Sequence, residues 1–109
     1  MQRSSNKTPA TLAVSDSATC ADKLRVLADA TRLTILRVLW QQPLCVGDIN
    51  QHLRIDQSLL SHHLRTLREA GFVQSERDGK SVIYSLTPDV RGRSSRTGLQ
   101  LGCCAISFA

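Results

Sequence analysis

Residues 46–71 read VGDINQHLRIDQSLLSHHLRTLREAG, two helical patterns separated by a three-residue turn. Val46, Ile49 and Leu53 recur at i, i+3, i+7, and Leu60, Leu64 and Leu67 form a second stripe after Arg54-Ile55-Asp56. Gly71 suits the position just past a helix end. On the second helix Ser58, Ser61, His62 and Arg65 fall opposite the leucines. One side of that helix is built to sit on a core, and the other carries short polar groups and a long cation.

The flanking sequence supplies the core. Asp16, Ser17 or Thr19 can cap a first helix with Cys20, Leu24, Leu27 and Ala28 on one face. Asp29 is a plausible N-cap for a second helix over 30–40, where Leu33, Ile35, Leu36, Val38 and Leu39 give a broad apolar surface, and Pro43 breaks the chain after it. Beyond Gly71, FVQSERDGKSVIYSL holds two β-type runs around Asp78-Gly79, a hairpin signal, with Val82, Tyr84 and Leu86 alternating on one face. The predicted fold is mainly α with a β-hairpin wing, a winged helix-turn-helix domain over 16–88 after a flexible tail at 1–15. Residues 89–109 are expected to be a basic linker, with Arg91, Arg93 and Arg96, and a strand-like extension. In that strand Leu99, Leu101, Cys103 and Ala105 face one way and Cys104, Ile106 and Phe108 the other.

Adjacent His62 and His63 diverge on a helix and cannot chelate one metal together. No HExxH or cysteine-histidine zinc spacing is present. His63, beside the apolar stripe, is expected to be semi-buried and bonded to backbone. The polar set with Gln57, followed by a hairpin whose Arg77 and Lys80 flank the tip, is what double-stranded DNA requires: side chains for base edges and cations for phosphates. In 109 residues, 14 Lys and Arg against 9 Asp and Glu give a net charge of +5, which favours a polyanion. No apolar run approaches the roughly 18 residues of a membrane helix, and the N-terminal stretch has no signal-peptide h-region, so a cytoplasmic location is expected. An enzyme is disfavoured by the absence of Cys-x-x-Cys, a glycine-rich phosphate loop, or a paired acid and base.

Together LRVLADATRLTILRVL and VGDINQHLRIDQSLLSHHLRTLREAGFVQSERDGKSVIYSL closely resemble the ArsR/SmtB family of bacterial winged-helix repressors, over about residues 22 to 87. The resemblance implies a cytoplasmic homodimer on a pseudo-palindromic operator, needing no cofactor to bind DNA and released by an inducer, often a thiophilic metal or metalloid such as As(III). Ala30 stands where many relatives have proline. Many relatives hold zinc with Asp, His and Glu on a C-terminal helix; this chain has no histidine after His63. Dimerisation is therefore expected to lean on the first helix and the tail.

Another family site places thiolates at a motif like ELCVCDL, and PLCVGDI keeps Cys45 but has Gly47 in the second position. A helix start favours thiolate, so Cys45 is either reactive or a packing residue. In a reducing compartment the four cysteines are expected to be thiols or ligands and not a disulfide frame. Cys45, Cys103 and Cys104 form the expected soft-metal site, within one chain or across subunits, and Cys20 is expected to be a core or dimer contact. The alternative is a regulator of the same fold whose cysteines sense oxidants or sulfide, or sense nothing.

Overall fold

The computed structural model describes residues 14–92 and 98–108. Helix α1 is Val14–Leu27 and α2 is Ala30–Gln41. Strand β1, Leu44–Cys45, leads directly into α3, Val46–Leu53, and α4 follows at Gln57–Glu69. Strands β2, Val73–Asp78, and β3, Ser81–Leu86, form the hairpin. A single turn, α5, Pro88–Arg91, precedes a second hairpin made of β4, Gly98–Gln100, and β5, Ala105–Ser107.

Each helix boundary has a local cause. The Asp29 carboxylate accepts the backbone N–H of Arg32 at 2.9 Å and caps α2. Asp16, Ser17 and Thr19 are not caps; all three lie inside α1, and Val14 and Ser15, expected in the tail, are helical too. The rest of that tail lies outside the described residues, as do Arg93 and Arg96. At the end of α3, Arg54 adopts a left-handed conformation (φ 56°) and returns its N–H to the Asn50 carbonyl. The Asn50 side chain then donates to the Ile55 carbonyl at 2.9 Å and accepts the Ile55 N–H at 3.0 Å, which fixes the turn between α3 and α4. Gly71 closes α4 at φ +85°.

The three-stranded sheet has the order β1-β3-β2, all antiparallel. Strand β1 was not anticipated, because two residues after Pro43 carry no period; Leu44 pairs with Tyr84 and Cys45 with Ile83. Asp78 pairs with Ser81 across a two-residue turn in which Gly79 takes φ +65°. One core holds the domain together: Leu27 of α1, Ile35, Leu36 and Leu39 of α2, Ile49 of α3, the stripe Leu60, Leu64 and Leu67 of α4, and Phe72, Val73 and Leu86.

The C-terminal segment corrects the expectation of one strand. Pro88–Arg91 is helical, and Arg91 stacks its guanidinium over the Trp40 ring at 4.5 Å while donating to the Trp40 carbonyl. The predicted strand folds back on itself, with Leu99 opposite Ile106, Gln100 opposite Ala105, and the Leu101 N–H bonded to the Cys104 carbonyl. Gly102 at φ +90° makes that reversal, so alternation ends at Leu101. Leu99 and Leu101 are buried in the main core. Far from being a separate extension, the hairpin is sealed to the domain.

Candidate nucleic-acid interface and sulfur cluster

Helix α4 is anchored on one side and open on the other. Leu60, His63, Leu64 and Leu67 are buried, while Gln57, Ser58, Ser61, His62 and Arg65 are exposed. Its first turn is held by Asp56, whose carboxylate accepts the N–H groups of Ser58 and Leu59 and the Ser58 hydroxyl proton. These bonds, the Ser58 hydroxyl first, lower the Asp56 carboxyl below its usual range. Ser58 thus spends its donor on the cap and keeps its lone pairs for a partner. Arg77 and Lys80 are exposed at the hairpin tip beyond the same helix.

The two histidines have separate environments. His62 is exposed, whereas His63 is 8 % exposed and the sole buried polar side chain among the described residues. Its partner is not backbone, as expected, but Arg32: Nδ1 lies 3.3 Å from the guanidinium, which also donates through Nε to the Val26 carbonyl. Arg32 carries no apolar period, and this role had no signal in the sequence.

The sulfur atoms are arranged differently from the expected trio. Cys20 on α1 and Cys103 in the C-terminal turn form a disulfide across 83 residues, which corrects for these two the expectation of thiols or ligands outside a disulfide, and for Cys20 that of a plain core contact, while Cys45 and Cys104 remain thiols. The free Cys104 Sγ lies 3.8 Å from that of Cys20 and 3.9 Å from that of Cys103. Among the described residues the grouped metal-type donors are Cys20, Cys103 and Cys104, all within 4.8 Å. Cys45 stands outside that group, half-buried and reduced at the start of α3, with no side-chain capping bond. Nothing in residue spacing could have paired Cys20 with positions 83 residues away.

An exposed polar helix seated by a short helix and tight turn, and followed by a hairpin that exposes Arg77 and Lys80 near its tip, defines a winged helix-turn-helix DNA-binding module. Residues 29–75 match the family model described as bacterial regulatory protein, arsR family. The chain is 41% identical over 81 residues to the HTH-type transcriptional regulator NmtR of Mycobacterium tuberculosis, covering 74% of this chain and 68% of that protein. It is 36% identical over 63 residues to an arsenical resistance operon repressor of Staphylococcus aureus, covering 58% of this chain and 61% of the relative. The structure of reduced HlyU from Vibrio cholerae superposes with a TM-score of 0.65 at 35% identity, over 69% of this chain and 79% of that one. The chain belongs to the ArsR family. It is a DNA-binding transcriptional regulator and not an enzyme. Among the described residues, no helix is long and apolar enough to cross a membrane.

Proposed function

We propose that this chain is a cytoplasmic homodimeric repressor that binds a pseudo-palindromic operator and leaves it when a thiophilic metal or metalloid binds its cysteines. The observation that carries the DNA half is the exposed face of α4. Gln57, Ser58, Ser61, His62 and Arg65 meet base edges and phosphates in the major groove, and Arg77 and Lys80 meet phosphates beside it. The dimer half is supported by α1, which buries only Leu27 within the chain and leaves Val14 and Leu24 86% and 41% exposed. A second copy covering that helix removes this apolar surface from water.

Grouped sulfurs and the likeness to an arsenical resistance operon repressor support a soft-ion inducer. The Cys20–Cys103 disulfide favours a second reading, in which an oxidant changes the state of the regulator. Gel shifts on the DNA upstream of the protein's own gene, with metals and oxidants added singly, test both. Release by arsenite or a similar ion supports the first, and release by oxidation reversed with reductant supports the second. Failure to bind this or any other duplex in preference to random DNA overturns the repressor reading.

A further inference from the structure

We propose that Cys20, Cys103 and Cys104 are one site for a trivalent metalloid, and that the Cys20–Cys103 disulfide is its lock: oxidised protein excludes the ion, and reduced protein holds it with three thiolates. The inference deepens the soft-ion half of the proposed function and rests on it.

The geometry is that of a three-sulfur site with one edge drawn shut. Thiolates each about 2.3 Å from a common trivalent ion whose lone pair makes the site pyramidal lie roughly 3.5 Å from one another. The Cys20–Cys104 and Cys103–Cys104 separations, 3.8 and 3.9 Å, come close to that length. The Cys20–Cys103 edge is closed by a covalent bond, and breaking that bond frees the second and third donors. The donors sit on supported elements. Cys20 lies in the middle of α1, and the turn carrying the vicinal pair is held by Leu99 and Leu101 in the core and by the Lys23 ammonium, which donates to the Leu101 carbonyl at 2.8 Å. Reducing the disulfide leaves these anchors in place.

The chemistry balances in two steps. A dithiol reductant attacks the disulfide, supplies two electrons and two protons to the Cys20 and Cys103 sulfurs, and leaves as its own cyclic disulfide. Arsenious acid then condenses with three thiols, forming three As–S bonds and releasing three waters. In the oxidised state Cys104 is the one thiol left in the cluster, and a single thiolate does not hold such an ion.

The test uses the full chain, either oxidised with diamide or reduced and freed of reductant, dialysed against arsenite. Bound arsenic is measured, and the thiols protected from alkylation are located by mass spectrometry. Reduced protein is expected to bind a single arsenite per chain and to protect Cys20, Cys103 and Cys104 but not Cys45; oxidised protein is expected to bind none. Cys45→Ser should bind as wild type. Reduced Cys104→Ser, which retains the Cys20–Cys103 pair, should lose binding while keeping its circular dichroism spectrum. Equal binding by oxidised and reduced protein, loss of binding in Cys45→Ser, or wild-type binding by Cys104→Ser overturns the proposal. Arsenite bound as expected with the operator still occupied leaves the site standing and defeats the release reading. Arsenite-driven release from Cys104→Ser does the reverse.

Discussion

The Nδ1 atom of His63 lies 3.3 Å from a guanidinium nitrogen of Arg32, an interaction that ties α4 to the start of α2. A guanidinium only donates, so Nδ1 is the acceptor. Arg32 also donates to the Val26 carbonyl of α1, so three helices meet at one side chain. Arg32→Ala leaves a buried ring nitrogen without its partner and is expected to cost about 1–3 kcal/mol in urea unfolding. An unchanged midpoint would show that the pairing contributes nothing to stability.

Arg65 and Ser61 project from the side of α4 opposite the leucine stripe. Replacing either by Ala is expected to leave the melting temperature unchanged and to weaken operator binding, by about 1–3 kcal/mol where the side chain makes a bidentate hydrogen bond to a base. Fluorescence anisotropy against operator and scrambled duplexes measures the difference. Wild-type affinity in both variants would remove α4 from the base-reading role.

The wing should behave otherwise. Arg77 and Lys80 stand at a hairpin tip suited to phosphates, so neutralising both is expected to weaken binding to operator and scrambled DNA alike. The slope of log K against log salt should flatten by about 0.9 for each phosphate that these cations no longer neutralise. A slope equal to that of wild type would place the wing off the duplex.

Acid should loosen two helix starts. The Asp29 carboxyl is held below its ordinary 3.8, chiefly by the Arg32 N–H it accepts and further by the Arg32 charge, and Asp56 is lowered by the Ser58 hydroxyl and the first N–H groups of α4. A depressed folded-state pKa gives stability that is full above the unfolded value and is lost as pH falls through the lower folded one. Unfolding midpoints are therefore expected to fall below about pH 4. Asn can still cap, so Asp29→Asn with Asp56→Asn should keep the helices and flatten that part of the pH profile. A profile as steep as wild type would assign the acid sensitivity to other carboxylates.

What could be read from the sequence was whatever the chain encodes locally. The stripe Leu60, Leu64, Leu67 reports α4 because helical neighbours lie three and four residues apart, Asp29 announces α2 by its capping chemistry, and Asp78-Gly79 announces the hairpin. Strand β1 escaped because two residues cannot display a period. The C-terminal alternation of Leu99 and Leu101 was real, but the same pattern serves one strand or two, and only the positive φ of Gly102 distinguishes them. The exposed residues of α4 followed from geometry on a single helix. The partnerships of Arg32 with His63 and of Cys20 with Cys103 join positions 31 and 83 residues apart, and no local rule reaches so far.

The covalent link from Cys20 to Cys103 makes the protein a macrocycle whose circumference includes α2, α3, α4 and the wing. A cross-link closing so long a loop restricts the unfolded chain by about 4–5 kcal/mol in the chain-entropy view. A metalloid held by Cys20 and the vicinal pair would close the same circle through different bonds. Oxidised and metalloid-loaded proteins are then both cyclic, and the reduced, empty protein alone is a linear chain. Either closure therefore restricts the unfolded chain over the whole segment that carries α2, α3, α4 and the wing, and reduction of the empty protein alone releases it.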